Sequence, residues 1–160
     1  MDKAQGVAKA FKNATLQYSR LREFQMEIYG EHRALVLSVI TRWGTQYHLV
    51  NGLLRSKEAL KAYALRYHEA KDGVSAKFRK AIAPVTDYVF WGELEELAEI
   101  LQPLDEAIKT SESQKGHLGH VLQRWQDLYR ALDQTTTQFP ILKELFKENG
   151  ALKERYFILA

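Results

Sequence analysis

Apolar side chains recur at intervals of three, four and seven residues along most of this chain. Such spacing places them on one face of an α-helix, and few segments show the strict alternation that is typical of strands. The pattern therefore predicts an all-α fold, a multi-helix bundle of about six helices without a substantial sheet. At this length, residues 1–160 are expected to form a single helical domain.

In the first half, the spacing predicts one helix over about residues 3–28. The β-branched stretch 34–40 has no partner strand in the sequence, so it is interpreted as a buried linker or a helical turn. A second helix is expected to begin near Thr41, a good N-cap residue, and to continue to about residue 67. Gly52 and Ser56 are positions at which this helix could bend or divide in two.

In the second half, a short helix is expected over 75–83, and Pro84 should end it. Thr86 or Asp87 is expected to cap the next helix. Pro103 is placed early in the turn after that, where proline is tolerated, and residues 110–116 are expected to form a polar loop. Two further helices follow, one after residue 117 and one from Pro140. The residues expected in the core share a place on these apolar stripes: Trp91, Leu94, Leu101, Leu122, Trp125 and Leu132.

Composition narrows the class of protein. Hydrophobic residues make up 46% of the 160 residues, which argues against disorder. There is no cysteine, so disulfides and thiolate chemistry are excluded. No apolar run approaches the roughly 20 residues that a membrane helix needs, and the N-terminus lacks the apolar stretch of a signal peptide. These features predict a nuclear or cytosolic protein that is not secreted and has no membrane partner.

Charge is distributed unevenly along the chain. Residues 1–80 carry 15 Lys/Arg and 7 Asp/Glu, whereas residues 81–160 carry 8 and 13, so that the halves have net charges of +8 and −5. A basic half can bind a polyanion through the release of counterions. An ordinary solvated surface with uneven charge would give the same totals.

Few residues suggest catalysis or a cofactor. The glycines form no phosphate-binding loop. His117 and His120 are too few ligands for zinc, which usually takes three or four protein ligands, so capping and solvent exposure are the simpler interpretation. The acidic residues that alternate with apolar ones are expected on a solvated face: Glu93, Glu95, Glu96 and Glu99. We therefore expect no catalytic residues, no metal site and no cofactor.

The segment Thr41-Arg42-Trp43 is the most distinctive in the chain. A threonine cap would place the arginine and the tryptophan in the first helical turn, where free backbone N–H groups and the helix dipole favour a phosphate. The arginine adds a fork of donors, and the tryptophan adds a face on which an unstacked base can rest. A core tryptophan beside a salt-bridged arginine is the competing interpretation, and spacing alone favours it.

Several segments, taken together, resemble the hAT superfamily of DNA transposases. Thr41-Arg42-Trp43 with Thr45 is similar to that family's TRW-x-S/T segment. A second block, from Trp91 to Ala107, is similar to its W-x-x-L-x-x-L-x-x-iL-x-PL-x-x-A pattern, and the C-terminal Tyr156-Phe157-Ile158-Leu159-Ala160 is similar to the start of its iLA-x-iL-x-P block. The matches occur in the family's order over nearly the whole chain.

The resemblance implies a truncated helical insertion domain of a transposase, which in the family interrupts a catalytic core holding an Asp, Asp, Glu metal site. No residues of this chain match those acids, so the resemblance implies no enzyme. It also implies a nuclear location and contact with DNA near transposon ends, with other transposase domains or self-association as further partners. Resemblance and charge together give a candidate DNA-binding set: Thr41, Arg42, Trp43, Arg55, Lys57 and Lys61.

A structural or protein-interaction domain without DNA binding is the alternative function. The two hypotheses differ in the expected placement of basic residues. DNA contact is favoured if the basic residues share one exposed face beside Trp43: Arg42, Arg55, Lys57, Lys61, Lys77, Arg79 and Lys80. A buried Trp43 with scattered basic residues would favour the interaction domain.

Overall fold

The computed structural model describes residues 1–39, 43–68, 73–112, 126–128 and 130. Over these residues the chain is helical or irregular and contains no strand, so the prediction of an all-α, multi-helix fold is confirmed. The helices in this part of the chain are α1 (Asp2–Lys12), α2 (Thr15–Tyr29), α3 (Trp43–Arg55), α4 (Lys57–Arg66), α5 (Ala76–Ile82) and α6 (Tyr88–Glu112), with a 3-10 turn at Ala83–Thr86.

The chain divides into two compact units, Met1–Gln102 and Pro103–Ala160. The first unit contains α1 to α5 and most of α6. The expectation of a single domain over residues 1–160 stays a prediction.

The first unit has a core that is rich in aromatic rings. The Phe11 ring meets the rings of Tyr63 and Phe78 edge to face, with centroids 5.0 and 5.1 Å apart. Offset and edge-to-face contacts of this kind are favourable for aromatic pairs. Apolar residues from every helix of the unit complete this core, for example Val7, Leu21, Leu49, Leu60, Ile82 and Trp91.

The prediction of one helix over 3–28 is wrong, because the structure breaks it in two. Asn13 ends α1, with its N–H donating to the Lys9 carbonyl, and α2 begins at Thr15. Asparagine is a weak helix former that favours helix ends, which makes this position a natural break. The change of direction lets Phe11 of α1 and Leu21 of α2 enter the same core.

Residues 31–39 form an extended linker that is held by side chains. The Gln5 carboxamide donates to the Ser38 carbonyl (3.1 Å) and accepts from the Ser38 N–H (3.0 Å). Gln25, fully buried, does the same for both backbone groups of Arg33, at 2.8 and 3.1 Å. A carboxamide has one acceptor and a donor, as a peptide group does, so the two glutamines take the place of a neighbouring strand. Over the described residues 34–39 the chain thus forms a linker and no helical turn; Leu35 is buried, 36–38 are half-buried, and Ala34 and Val39 are exposed.

The division of the next helix falls at Ser56 and not at Gly52. Ser56 is buried, separates α3 from α4, and its hydroxyl accepts a hydrogen bond from Gln25 Nε2 at 3.2 Å. Gly52 lies inside α3, where a Cβ would sit 3.3 Å from the Ala34 carbonyl oxygen. The glycine therefore allows the linker backbone to pass close to the helix.

Capping residues position the helices that follow. The Ser75 hydroxyl accepts the Phe78 N–H at the start of α5, and Asp87 Oδ1 accepts the Val89 N–H at the start of α6. Pro84 lies in the 3-10 turn. These positions agree with the predicted boundaries at 75–83 and at Asp87.

The sequence predicts Pro103 early in a turn after this helix and residues 110–116 in a loop, but α6 continues through Pro103 to Glu112. Residues 113–116 lie outside the described residues. Near the end of α6, the Thr110 hydroxyl donates to the Glu106 carbonyl and the Ser111 hydroxyl to the Ala107 carbonyl. Each of these hydroxyls therefore donates to the backbone carbonyl four residues earlier in the same helix.

The predicted core residues that can be assessed lie on α6. Trp91 and Leu94 are buried as predicted, and Leu101 is partly buried against the core. The remaining three lie outside the described residues: Leu122, Trp125 and Leu132.

Candidate nucleic-acid interface

The Arg-Trp segment can be placed only in part. Thr41 and Arg42 lie outside the described residues, and Trp43 is the first residue of α3, with a side chain that also lies outside them. The start of α3 is therefore close to the predicted helix start. The role of all three residues in DNA contact stays a prediction.

Arg55 lies at the exposed C-terminal end of α3, beside an acidic residue. Its guanidinium is 3.7 Å from Glu31 Oε1, and the same oxygen accepts from Arg33 Nε at 2.9 Å. Arg33 is stacked over the Tyr29 ring, with its Cζ 3.7 Å from the centroid. One carboxylate thus compensates for part of the charge of two arginines, which leaves Arg55 only weakly paired.

Lys57 and Lys61 lie together above a buried tryptophan. Their Nζ atoms are 5.5 and 6.0 Å from the centroid of Trp91. Lys57 forms an ion pair with Glu95 at 2.7 Å, and Lys61 forms one with Glu58 at 3.5 Å. We call these five residues the Trp91 cluster. Each lysine has its own carboxylate, so little net charge remains at the cluster for a polyanion.

The remaining basic residues of the predicted face lie on α5 and make other contacts. Lys77 lines a shallow groove between α1 and α5, opposite Lys9. Arg79 is turned back on its own backbone and donates to the Val74 carbonyl. The structure thus brings Lys57 and Lys61 together but does not join them with Lys77 in one cluster.

A second group of cations on an aromatic ring was not predicted from the sequence. Arg20 of α2 and Arg66 of α4 both lie over the ring of Tyr67, with Cζ atoms 4.8 and 5.7 Å from its centroid. We call Arg20, Arg66 and Tyr67 the Tyr67 cluster. Neither arginine forms an ion pair within the described part of the chain.

Neutral groups hold Arg20 in place. Its guanidinium donates to Gln17 Oε1 at 3.3 Å, and the same oxygen accepts from the hydroxyl of Tyr63 at 2.5 Å. Burial raises the pKa of Tyr63 to about 12, against the opposing effect of Arg20. Tyr63 is therefore a neutral donor at physiological pH. Neither its hydroxyl nor the Gln17 carboxamide carries a negative charge that would compensate Arg20.

The sequence contains only a partial signal for the Tyr67 cluster. Arg66 and Tyr67 are neighbours in the chain, but Arg20 is 47 positions from Tyr67 and reaches it because α2 packs against α4. Of the two arginines in the cluster, a search for arginines beside tyrosines would have found Arg66 and missed Arg20. Contact between helices decides the rest.

Other candidate chemistry is limited. Glu93, Glu95, Glu96 and Glu99 are exposed on α6, which confirms the predicted solvated face. Among the described residues, no three histidine, aspartate or glutamate side chains are placed to hold a metal ion. His117 and His120 lie outside this part of the chain.

Comparison with known proteins finds no matching family model, no matching curated protein and no matching solved structure. In the described ranges, every helix is too short or too polar to cross a membrane.

Proposed function

We propose that this chain is a helical, transposase-derived domain that contacts DNA and has no catalytic activity of its own. One observation carries the proposal: many exposed or half-exposed cations of the first unit have no carboxylate of the described residues within ion-pair distance. Among the described residues they are Lys3, Lys9, Lys12, Arg20, Arg22, Arg66, Lys77 and Lys80. Such cations attract the phosphates of DNA. When they bind, the counterions that surround the DNA are released.

The sequence supplies two further supports. The net charge of +8 over residues 1–80 has the same sign as this set of unpaired cations. The hAT-like segment with Arg42 and Trp43 suggests that the DNA carries unpaired or flipped bases near a transposon end, and it makes the nucleus the expected location. The resembled family's three acids have no counterpart in this sequence, and we therefore propose contact with DNA and not its cleavage.

A second function, protein interaction without DNA, is favoured by a different observation. Several large apolar side chains are exposed, most of all Tyr88 (86%) and Leu65 (70%). Exposed apolar surface is typical of sites for partner proteins, including other transposase domains or a second copy. This hypothesis does not explain the unpaired cations.

Titration of DNA separates the two functions. Hairpin-ended and plain duplexes of equal length are titrated at 50 and 200 mM salt, with folding checked by circular dichroism. A few phosphate contacts should weaken binding roughly tenfold or more over this range. Trp43→Ala should lose about 1–3 kcal/mol on hairpin ends and less on plain duplex. A well-folded wild type that fails to bind at 50 mM salt would leave the interaction domain as the better hypothesis.

A further inference from the structure

The Tyr67 cluster concentrates positive charge at a fixed place on the surface. Since the two Cζ atoms lie 4.8 and 5.7 Å from one centroid, they are at most about 10.5 Å apart. That separation is similar to the Debye length of about 10 Å at 0.1 M ionic strength, so solvent ions screen their repulsion only in part. An anion between the guanidiniums would relieve this repulsion.

The described acids nearest in sequence do not supply that anion; Glu69 and Asp72, which follow Arg66 in the chain, lie outside the described residues. Glu23 is three residues from Arg20 on α2, a spacing that permits an ion pair, yet it forms none with Arg20. On α4, Glu58 pairs with Lys61. In the described part of the molecule, the cluster is thus a pair of arginines without an internal counterion.

The arginines are also ordered in a way that suits a phosphate. Arg20 is held at two places. One face of its guanidinium lies over the ring of Tyr67, and one of its N–H groups donates to the carboxamide oxygen of Gln17. This bond uses one donor of Arg20, and a guanidinium has five donors in a rigid fork. Such a fork matches the oxygens of a phosphate, and little side-chain freedom is lost on binding.

We infer that Arg20 and Arg66, oriented by Tyr67, form a binding site for phosphodiester groups of a nucleic-acid backbone, distinct from the Arg42-Trp43 segment. This inference rests on the proposed contact with DNA and names a second place where that contact occurs. The site reads no base sequence, because phosphate contacts position a protein on DNA without specifying bases. It therefore adds affinity and sensitivity to salt.

Arg22 provides a matched control for the test. It belongs to the same helix, is exposed, and also lies over a tyrosine, with its Cζ 4.8 Å from the centroid of Tyr18. No second arginine shares that ring within the described residues. Arg22→Gln thus removes the same charge and the same type of stacking contact, but leaves the Tyr67 cluster intact.

The experiment measures duplex DNA affinity against salt for wild type, Arg20→Gln, Arg66→Gln, Arg22→Gln and Tyr67→Leu, with the melting temperature of each. Arg20→Gln and Arg66→Gln should each weaken binding about tenfold at 50 mM salt and reduce the salt slope by about 0.9. Arg22→Gln removes one of the other unpaired cations and gives the loss expected from a single charge outside the cluster, no more than about threefold. Tyr67→Leu keeps both charges and should still weaken binding, because the guanidiniums lose their orientation.

Each contrary result has one meaning. If wild type binds DNA but Arg20→Gln and Arg66→Gln behave as Arg22→Gln does, the phosphate site is wrong and the DNA function stands. If the folded wild type binds no DNA, both proposals are wrong. Inorganic phosphate, titrated against the arginine side-chain NMR signals, separates the sources of the phosphate. Tight binding of free phosphate at Arg20 and Arg66, with unchanged DNA affinity in the variants, would overturn the nucleic-acid assignment in favour of a small anion.

Discussion

Two aromatic rings of the first unit, Trp91 and Tyr67, each have two cations close to the ring centroid. The Trp91 cluster and the Tyr67 cluster differ in the charges around these cations. In the Trp91 cluster, Lys57 and Lys61 have carboxylate partners at 2.7 and 3.5 Å. In the Tyr67 cluster, Arg20 and Arg66 have none among the described residues, and the polar groups around Arg20 are neutral. The Trp91 cluster is a compensated surface, whereas the Tyr67 cluster keeps an uncompensated charge.

The rings themselves also differ. Trp91 is 2% exposed and its indole N–H donates to the Val85 carbonyl at 2.8 Å, so it belongs to the core. Tyr67 is half-buried and contacts the rings of Phe24 and Tyr63. A cation above an aromatic ring is therefore available to a ligand only where no nearby acid compensates its charge.

The largest effect is expected from truncating Trp91. Trp91→Ala should lower the free energy of unfolding by about 3–5 kcal/mol, because it leaves a cavity and removes the donor to the buried Val85 carbonyl. Urea unfolding followed by circular dichroism measures the change. Tyr67→Ala is the control, and it should cost less because its ring is partly solvated. Equal losses in the two variants would show that both rings are core elements.

A smaller change in stability is expected when the pH is raised, because the Tyr63 hydroxyl near Arg20 loses its proton. The pKa of Tyr63 is raised from 10.0 to about 12, so the folded state keeps a proton that the unfolded state loses. Stability from this group is fully present below pH 10 and falls as pH rises through 12, by roughly 2–3 kcal/mol.

Urea unfolding at pH 9, 10 and 11 detects this loss. Tyr63→Phe is the control, since it removes the titrating hydroxyl and should lose this part of the pH dependence. Identical profiles for the variant and wild type would contradict the raised pKa.

The smallest change in stability is expected from removing the ion pair between Lys57 and Glu95. Glu95→Gln removes its partner and should cost less than about 1 kcal/mol, as surface ion pairs usually do. The freed lysine should strengthen DNA binding a few-fold and steepen the salt slope by up to about 0.9. Glu96→Gln removes the same charge from an exposed neighbour that forms no ion pair in the described chain, and it should have a weaker effect. Equal effects of the two variants would mean that pairing does not control the availability of Lys57.

Much of the fold could be predicted from local patterns. The apolar stripes indicated an all-α chain, the buried Trp91 and Leu94, and the exposed glutamates of α6, because burial on a helix follows its 3.6-residue period. The boundaries at Pro103 and Asn13 were predicted wrongly. Helix α6 continues through Pro103, and α1 ends at Asn13 although the apolar spacing continues beyond it.

The candidate site was harder to predict for the same physical reason. The sequence identified a basic half and named Lys57 and Lys61 as candidate DNA-binding residues, and the structure pairs these lysines with Glu95 and Glu58. It did not identify Arg20 and Arg66 as a pair. The spacing of residues along one helix says nothing about which residue of another helix lies opposite.

The helical class, the apolar faces and the excess of positive charge could be predicted without coordinates, since they depend on residue type and local spacing. The tertiary structure alone decided which charges are compensated. Lys57 meets Glu95 across 38 residues of chain, and Arg20 meets Tyr67 across 47, through packing between helices. Electrostatic interaction depends on distance in space, and the packing of the helices fixes that distance.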